Sequence, residues 1–428
     1  MKAIVIGNGG REHAIAWKLA SSKSTEKIFV APGNAGTENE PKVENIPIPT
    51  DAIDALVLFS KDQSIDLAII GPEQPLVDGV ANRFEDIGIP CIGPKKEAAK
   101  LEASKIFAKN FMQRHGIPTV RYETFENSIE AIKYAAQMNP PIVIKADGLA
   151  AGKGVYIAKN LVEAKSVILS ILEQKRFGAA GDRIILEDYI QGEEMSFICL
   201  VHDGQVLPLA TSQDHKARDA GDSGPNTGGM GAYSPAPEIA ANLNKKIIND
   251  IINPTVRGLL KDGMSYTGFL YAGLMIDPNG SPIVLEYNCR SGDPETQPIL
   301  LRLKSDLIDI FSSTLSGELE NYEIEWDPRP ALGVVMVSGG YPDKYDIGIQ
   351  INGLEKIKNQ DVKVFHGGTK HEKNQVLTNA GRVLCITALG NDIAEAQTLA
   401  YQHVDKIDWD QAYFRTDIGY RAVDREKI

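Results

Sequence analysis

Three short apolar runs near the amino terminus each end in a glycine-bearing loop, and this pattern restricts the fold more than any other feature of the chain. Ala3–Ile6 runs into Gly7-Asn8-Gly9-Gly10, Ile28–Ala31 into Pro32-Gly33-Asn34-Ala35-Gly36, and Leu67–Ile70 into Gly71-Pro72-Glu73. A helical pattern from about Arg11 to Ala20 separates the first two runs. Strands alternating with helices predict a parallel α/β sheet, whose ligands sit beyond the carboxyl ends of the strands. All three glycine loops fall on that edge.

A dinucleotide is the first ligand to consider there, and two residues count against it. The third glycine of G-x-G-x-x-G would be residue 12, which is Glu12. The second run ends at Ala31-Pro32-Gly33, with no acid to hold a ribose 2′-hydroxyl. A sugar phosphate held by the backbone donors of Gly9, Gly10 and Arg11 fits better, since glycine permits close backbone approach. Glu73, at the end of a strand, is then placed to accept from ribose hydroxyls.

Farther along, Lys96–His115 predicts one long helix, with Lys105 on it. The stretch Ile142-Val143-Ile144-Lys145-Ala146-Asp147-Gly148-Leu149-Ala150-Ala151-Gly152-Lys153-Gly154 is similar to a Walker A loop, yet it is one residue short and Gly154 replaces the Ser or Thr. A strand, Val155–Ala158, follows it where a P-loop would open a helix. The expectation is a glycine-rich lid between antiparallel strands, with Lys145 and Lys153 supplying charge to phosphates. Ile184–Asp188 is an apolar strand ending in acids before Gly192, suited to offering backbone groups to an adenine edge. Glu194 follows and could accept from both ribose hydroxyls. Thr211–Ala232 shows almost no apolar periodicity and predicts a long substrate-wrapping loop; His215 within it is expected to pack or hydrogen-bond locally.

Leu285-Glu286-Tyr287-Asn288-Cys289-Arg290-Ser291-Gly292-Asp293 is where the chemistry is expected. It follows the turn Asp277-Pro278-Asn279-Gly280 and predicts the second strand of a hairpin. Alternation puts Glu286, Asn288 and Arg290 on one face. A carboxylate and an amide oxygen suit a divalent cation bridging phosphates, and a guanidinium beside them suits an anion. After a linker at Trp326–Pro330, strands at Ala331–Ser338, Val362–Phe365 and Arg382–Leu389 and a helix at Asp392–Ile407 predict a small α+β domain.

Composition narrows the partners. At 428 residues the chain can bury two or three cores. A net charge of −12 argues against nucleic acid or an anionic membrane as the main partner. No apolar run approaches a membrane span, and the four cysteines show no C-x-x-C spacing, so a cytoplasmic protein with reduced thiols is expected.

Taken in order, the α/β domain, the strand lysine, the G-K-G lid, E-D-Y-I at 187–190 and E-Y-N-C-R at 286–290 resemble the ATP-grasp carboxylate–amine ligases. The strings K-A-D-G-L-A-A-G-K-G (145–154), S-Q-D-H-K (212–216), G-P-N-T-G-G-M-G-A-Y-S-P (224–235) and G-D-P-E-T-Q-P (292–298) are similar to the members that join glycine to 5-phosphoribosylamine. The resemblance implies an α/β and α+β multidomain fold. A pre-ATP-grasp domain at 1–103 would precede an ATP-grasp domain at 104–325, with its lid at about 120–190, and an α+β domain at 326–428. It implies ATP as co-substrate, Mg²⁺ or Mn²⁺ on Glu286 and Asn288, and a monomer acting on small molecules in purine synthesis. Lys105, Lys145, Gly152, Lys153 and Gly154 would meet ATP phosphates, Glu187 and the Tyr189–Ile190 backbone adenine, and Glu194 ribose. Arg290 would steady the transferring phosphoryl group. Glu73, Asp293, Lys216, Lys370 and Arg382 would contact the other substrates, and Asp214 or Asp293 would accept a proton or bind glycine's ammonium. Two positions depart from the pattern: Gly273, where many relatives carry another metal carboxylate, and Ser291, where an aromatic is expected.

Overall fold

The computed structural model describes residues 1–150, 153–237 and 242–427. At the amino terminus, five parallel strands lie in the order Val43–Asn45, Lys27–Pro32, Lys2–Gly7, Leu67–Ile70, Cys91–Ile92. The central strand is buried almost throughout, as expected for a sheet covered on both faces. Helix Gly10–Ala20 leaves its carboxyl edge, and the buried Glu12 carboxylate lies across that edge, with Oε2 accepting from the Gly9 N–H at 2.6 Å.

The single helix expected at 96–115 is two helices, Lys96–Ala103 and Lys105–Arg114, broken at Ser104. Ser104 is extended and caps the second helix by accepting from the Phe107 N–H at 3.1 Å. Asp147, from the lid loop, accepts from Ser104 Oγ and from the Ile106 N–H, each at 2.8 Å. That distant carboxylate stabilises the break, so no local pattern signals it.

Two antiparallel sheets face each other in the middle of the molecule. One is the lid sheet, ordered Tyr122–Phe125, Ile184–Asp188, Ile142–Ala146, Val155–Ala158. The other is ordered Gln205–Pro208, Glu193–His202, Thr267–Ile276, Pro282–Asn288. Register in the last pair shifts so that Val284 opposes Leu274 and Glu286 opposes Gly273, leaving Leu285 bulged.

The segment 211–232 is not the structureless loop expected from its composition. It contains strands Gln213–Asp214, Ala217–Asp219, Ser223–Asn226 and, at its end, Gly231–Ser234. Gly231–Ser234 pairs with Ala331–Val337 and so extends the carboxy-terminal sheet, which continues through Arg382–Leu389 to Val362–His366. Its partner lies about a hundred residues away in sequence, and hydrogen bonding, not apolar alternation, makes these strands. One apolar core runs from Ile15 and Leu19 through Ile198, Phe269 and Phe311 to Val335 and Phe365, joining both terminal regions to the central sheet. Among the described residues no helix is long and apolar enough to cross a membrane.

Candidate active site

Between the two antiparallel sheets lies a cavity of about 420 Å³, within the range that holds small-molecule ligands. Strand ends bring its charges together. Lys145 closes Ile142–Ala146, Glu187 stands near the end of Ile184–Asp188, and Glu286 and Asn288 close Pro282–Asn288. Lys105, the first residue of its helix, lines the same space, and its Nζ donates to the Gly148 carbonyl at 3.1 Å.

The bulge at Leu285 has a local consequence: the Leu285 carbonyl accepts from Lys145 Nζ at 3.1 Å. Lys145 Nζ also lies 2.8 Å from Glu187 Oε2, and Lys109 Nζ lies 3.0 Å from Glu187 Oε1. Burial pushes the Glu187 carboxyl up, but Lys145 and Lys109 outweigh it and hold its pKa below the ordinary range. Glu187, expected to meet adenine, is thus engaged by two lysines, and Tyr189 and Ile190, expected beside it, also line the cavity. Lys109 was missed in the sequence. It lies four residues after Lys105, and that helical spacing could have found it.

Around Glu286 the field is positive. Burial raises its pKa, yet Lys216, Lys145, Lys105 and Arg290 together bring it below the ordinary carboxylate value. Gly273, opposite Glu286, leaves the room this side chain occupies: a Cβ there would sit 3.2 Å from Glu286 Cγ. Among the described residues no group of three His, Cys, Asp or Glu could enclose a metal ion. One carboxylate and one amide oxygen fit a hard cation that takes its remaining ligands from phosphate and water.

Arg290 is held from several sides. Its Nη2 lies 2.9 Å from Glu102 Oε1 and donates to Asn288 Oδ1 at 3.1 Å, while Nε meets Glu73 Oε2 at 3.2 Å. Glu102 also accepts from the Cys289 N–H at 2.6 Å. Burial raises the Glu102 pKa to about 7, against the opposing pull of Arg290. No motif pointed to Glu102, because it looks like one more acid on a charged helix. Ser291 is buried, and its carbonyl accepts from Arg11 Nη1 at 3.1 Å and Arg290 Nη1 at 3.2 Å.

The opposite wall carries Asp214, Lys216 and Glu295. Lys216 Nζ donates to Asp214 Oδ2 at 2.9 Å. Glu295, also missed, accepts from Tyr271 at 2.7 Å and Ser196 at 3.1 Å, and burial with Asp214 nearby raises its pKa. Asp293 accepts from Gln297 at 2.8 Å and pairs with Arg382 at 3.2 Å; Arg382 also donates to the Gly228 carbonyl at 2.7 Å. Glu194 lines the cavity between these walls.

Several expected contacts take other forms. The Gly9 N–H donates to Glu12 Oε2 at 2.6 Å, and a Cβ on Gly9 or Gly10 would lie 2.7 Å from Glu12 Oε2 or 2.6 Å from Gln297 Nε2, so these glycines make room for those side chains. Arg11 lines the cavity, and its side chain donates to Glu12 Oε1 at 2.6 Å and to the Ser291 carbonyl at 3.1 Å. Lys153 donates to the Pro342 carbonyl, away from the cavity wall. Lys370 lies on the hairpin Thr369–Glu372, pairs with Glu372 at 3.3 Å, and does not line the cavity. Gly154 does line it, and Gly152 lies outside the described residues.

Two antiparallel sheets closing on a lysine-lined cavity, one of them carrying a glycine-rich flap, define an ATP-grasp protein. Family models agree. Those described as phosphoribosylglycinamide synthetase match over their N domain at residues 1–102, their ATP-grasp (A) domain at 103–296 and their C domain at 331–421. The chain belongs to the phosphoribosylglycinamide synthetase family. It is 54% identical over 427 residues to a phosphoribosylamine–glycine ligase of Allochromatium vinosum, and 53% identical over 428 residues to one of Salmonella typhi, with all of each chain covered. A solved phosphoribosylamine–glycine ligase from Thermotoga maritima superposes with a TM-score of 0.83 at 32% identity, covering 98% of this chain and 100% of that one. The biotin carboxylase domain of Hydrogenobacter thermophilus 2-oxoglutarate carboxylase shares the fold, at TM-score 0.73 and 16% identity over 98% of this chain and 97% of that one.

Proposed function

We propose that this chain ligates glycine to 5-phosphoribosylamine at the expense of ATP, giving glycinamide ribonucleotide, ADP and phosphate. The observation that carries the reading is full-length 54% identity to a protein named for that reaction. The cavity supports it, since it sets phosphate-binding lysines and a cation-binding pair beside the acidic wall at Asp214 and Glu295.

The chemistry follows from charge. A carboxylate resists attack by an amine until one of its oxygens becomes a leaving group. Glycine's carboxylate oxygen takes the γ-phosphoryl, ADP departs, and the phosphoribosylamine nitrogen then attacks the acyl carbon of glycyl phosphate. Phosphate leaves, and the nitrogen gives up a proton to Asp214 or Asp293. Phosphoryl transfer calls for positioning and charge neutralisation more than for a protein nucleophile. Lys105 and Lys145 bind the triphosphate, the Tyr189–Ile190 backbone meets adenine, Glu194 holds ribose, and Arg290 steadies the migrating group. Glu73, Asp293, Lys216 and Arg382 orient the acceptor substrates. Mg²⁺ or Mn²⁺ on Glu286 and Asn288 neutralises phosphate charge when bound. Four free thiols support a cytoplasmic setting.

The test is purified protein with ATP, Mg²⁺, glycine and phosphoribosylamine. ADP release should require both co-substrates, and other amino acids in place of glycine should give little. Glu286→Ala should lower kcat by about 100-fold or more with the fold intact. Turnover that ignores glycine would defeat the reading.

A further inference from the structure

We infer that the carboxy-terminal segment 413–425 is a strap that sets the acceptor side of the cavity, with Arg415 as its central positioning residue. The hairpin Ala217–Asp219 with Ser223–Asn226 buries no residue between positions 217 and 226. Two strands with no apolar face are marginal by themselves, so something else must order them. Its two ends matter for the site. Asp214 and Lys216 enter it, Asn226, Thr227 and Gly228 leave it, and all five line the cavity.

What orders the hairpin is a set of polar contacts from the far end of the chain. The Arg415 side chain is 0% exposed. Its Nη1 donates to the Ala217 carbonyl at 3.2 Å, its Nη2 to Asp222 Oδ1 at 2.7 Å, and its Nε to Asp417 Oδ1 at 2.5 Å. One planar guanidinium therefore joins the first strand of the hairpin, its tip and the strap itself, a geometry that its fixed fork permits and an ammonium does not. Asp417 Oδ2 accepts from the Gly221 N–H at 2.8 Å. Tyr420 donates to Asp222 Oδ2 at 2.7 Å, and Tyr413 donates to Asp219 Oδ1 at 2.9 Å. At the base, the Gly419 N–H donates to His215 Nε2 at 3.1 Å, and the Thr227 N–H closes onto the Lys216 carbonyl at 2.8 Å. Arg415 is absent from the cavity wall, so it acts through the hairpin and not on substrate.

The inference rests on the ligase reading for its kinetic readout, and amide exchange gives a second readout that does not depend on it. Arg415→Met should raise the KM for glycine and for phosphoribosylamine by about tenfold, because a small misplacement of orienting groups is costly. Affinity for a non-hydrolysable ATP analogue, measured by calorimetry, should stay within about twofold, since the Arg415 side chain bonds to Ala217, Asp222 and Asp417 and to none of Tyr189, Ile190 and Glu194. Amide exchange should accelerate across 215–228 while Thr267–Ile276 keeps its protection. Arg415→Lys should fall between wild type and Arg415→Met. Should Arg415→Met fail to fold, Asp222→Asn, at a half-exposed position, decides: the same KM split and the same local loss of protection are expected, smaller in size. Unchanged KM values, or losses shared equally by ATP binding and by exchange everywhere, overturn the strap. If the wild type shows no glycine-dependent turnover, the ligase reading falls, and unchanged exchange across 215–228 would still sink the strap independently.

Discussion

Arg290 faces two carboxylates, Glu73 and Glu102, and the second of these is the more informative. Burial raises the Glu102 pKa to about 7, while Arg290 and the Cys289 N–H both favour the charged form. Glu102→Gln keeps the shape and removes the charge. It should cost about 1–3 kcal/mol of stability, as a weakened buried charged hydrogen bond does. Through Arg290 it should also lower kcat by about tenfold, with the KM for ATP little changed. Steady-state kinetics beside a urea titration would check this, and an unaltered kcat would remove Glu102 from the support of Arg290. Single residues differ in how well the chain announces them. Glu286 and Asn288 are visible because an acid and an amide alternating at the end of an apolar strand are poor core material. Glu102 and Glu295 are silent, because a charged residue on a helix or loop looks the same whether it meets water or a buried partner. Lys370, read as a phosphate ligand, lies outside the cavity wall and pairs with Glu372 at 3.3 Å.

Elements were legible wherever hydrogen bonding and apolar patterning agree. The parallel strands and the antiparallel lid pair follow from short β-branched runs between glycine turns. The helix break at Ser104 and the strands inside 211–232 were not legible, since Asp147 and Ala331–Val337 supply the missing partners from outside. The carboxyl edge of the first sheet offers a test at this scale. A Cβ on Gly71 would lie 1.9 Å from Glu12 Oε1, so the glycine there exists to admit the carboxylate that occupies the Gly9 N–H. Gly71→Ala should destabilise by about 1–3 kcal/mol through overpacking. It should also displace Glu12 and with it Arg11, whose Nε lies 2.6 Å from Glu12 Oε1. A denaturation midpoint equal to wild type would show that the loop relaxes freely.

Across the whole molecule, buried histidines tie stability to pH. Burial, with Arg415 adding to it, lowers the His215 pKa from 6.5 to about 4. His13 and His366, which join the first helix to the carboxy-terminal sheet through the His366 N–H and His13 Nδ1 at 2.8 Å, shift the same way. A group whose folded pKa is depressed stabilises the fold above its unfolded pKa, and that stability drains away as pH falls. For His215 alone the loss between pH 6.5 and about 4 approaches about 3 kcal/mol. Urea midpoints should therefore fall steadily from pH 7 to pH 5, and His215→Gln should flatten the slope. A midpoint that holds constant over that range would contradict the neutral, buried assignment.

What the chain determined by itself was everything carried by local spacing. That includes the order of strands and helices outside Ser104 and 211–232, the glycine flap with Lys145 on its strand, and the acid–amide pair at Glu286 and Asn288. These are properties of periodicity and turn chemistry, which act over a few residues. Tertiary structure alone decided which charges meet: Glu187 between Lys109 and Lys145, Glu102 on Arg290, Arg382 on Asp293, and Arg415 through a hairpin two hundred residues upstream. The reason is physical. A charge gains strong partners only where folding removes water, and that position is set by the packing of whole sheets, not by any neighbour in sequence.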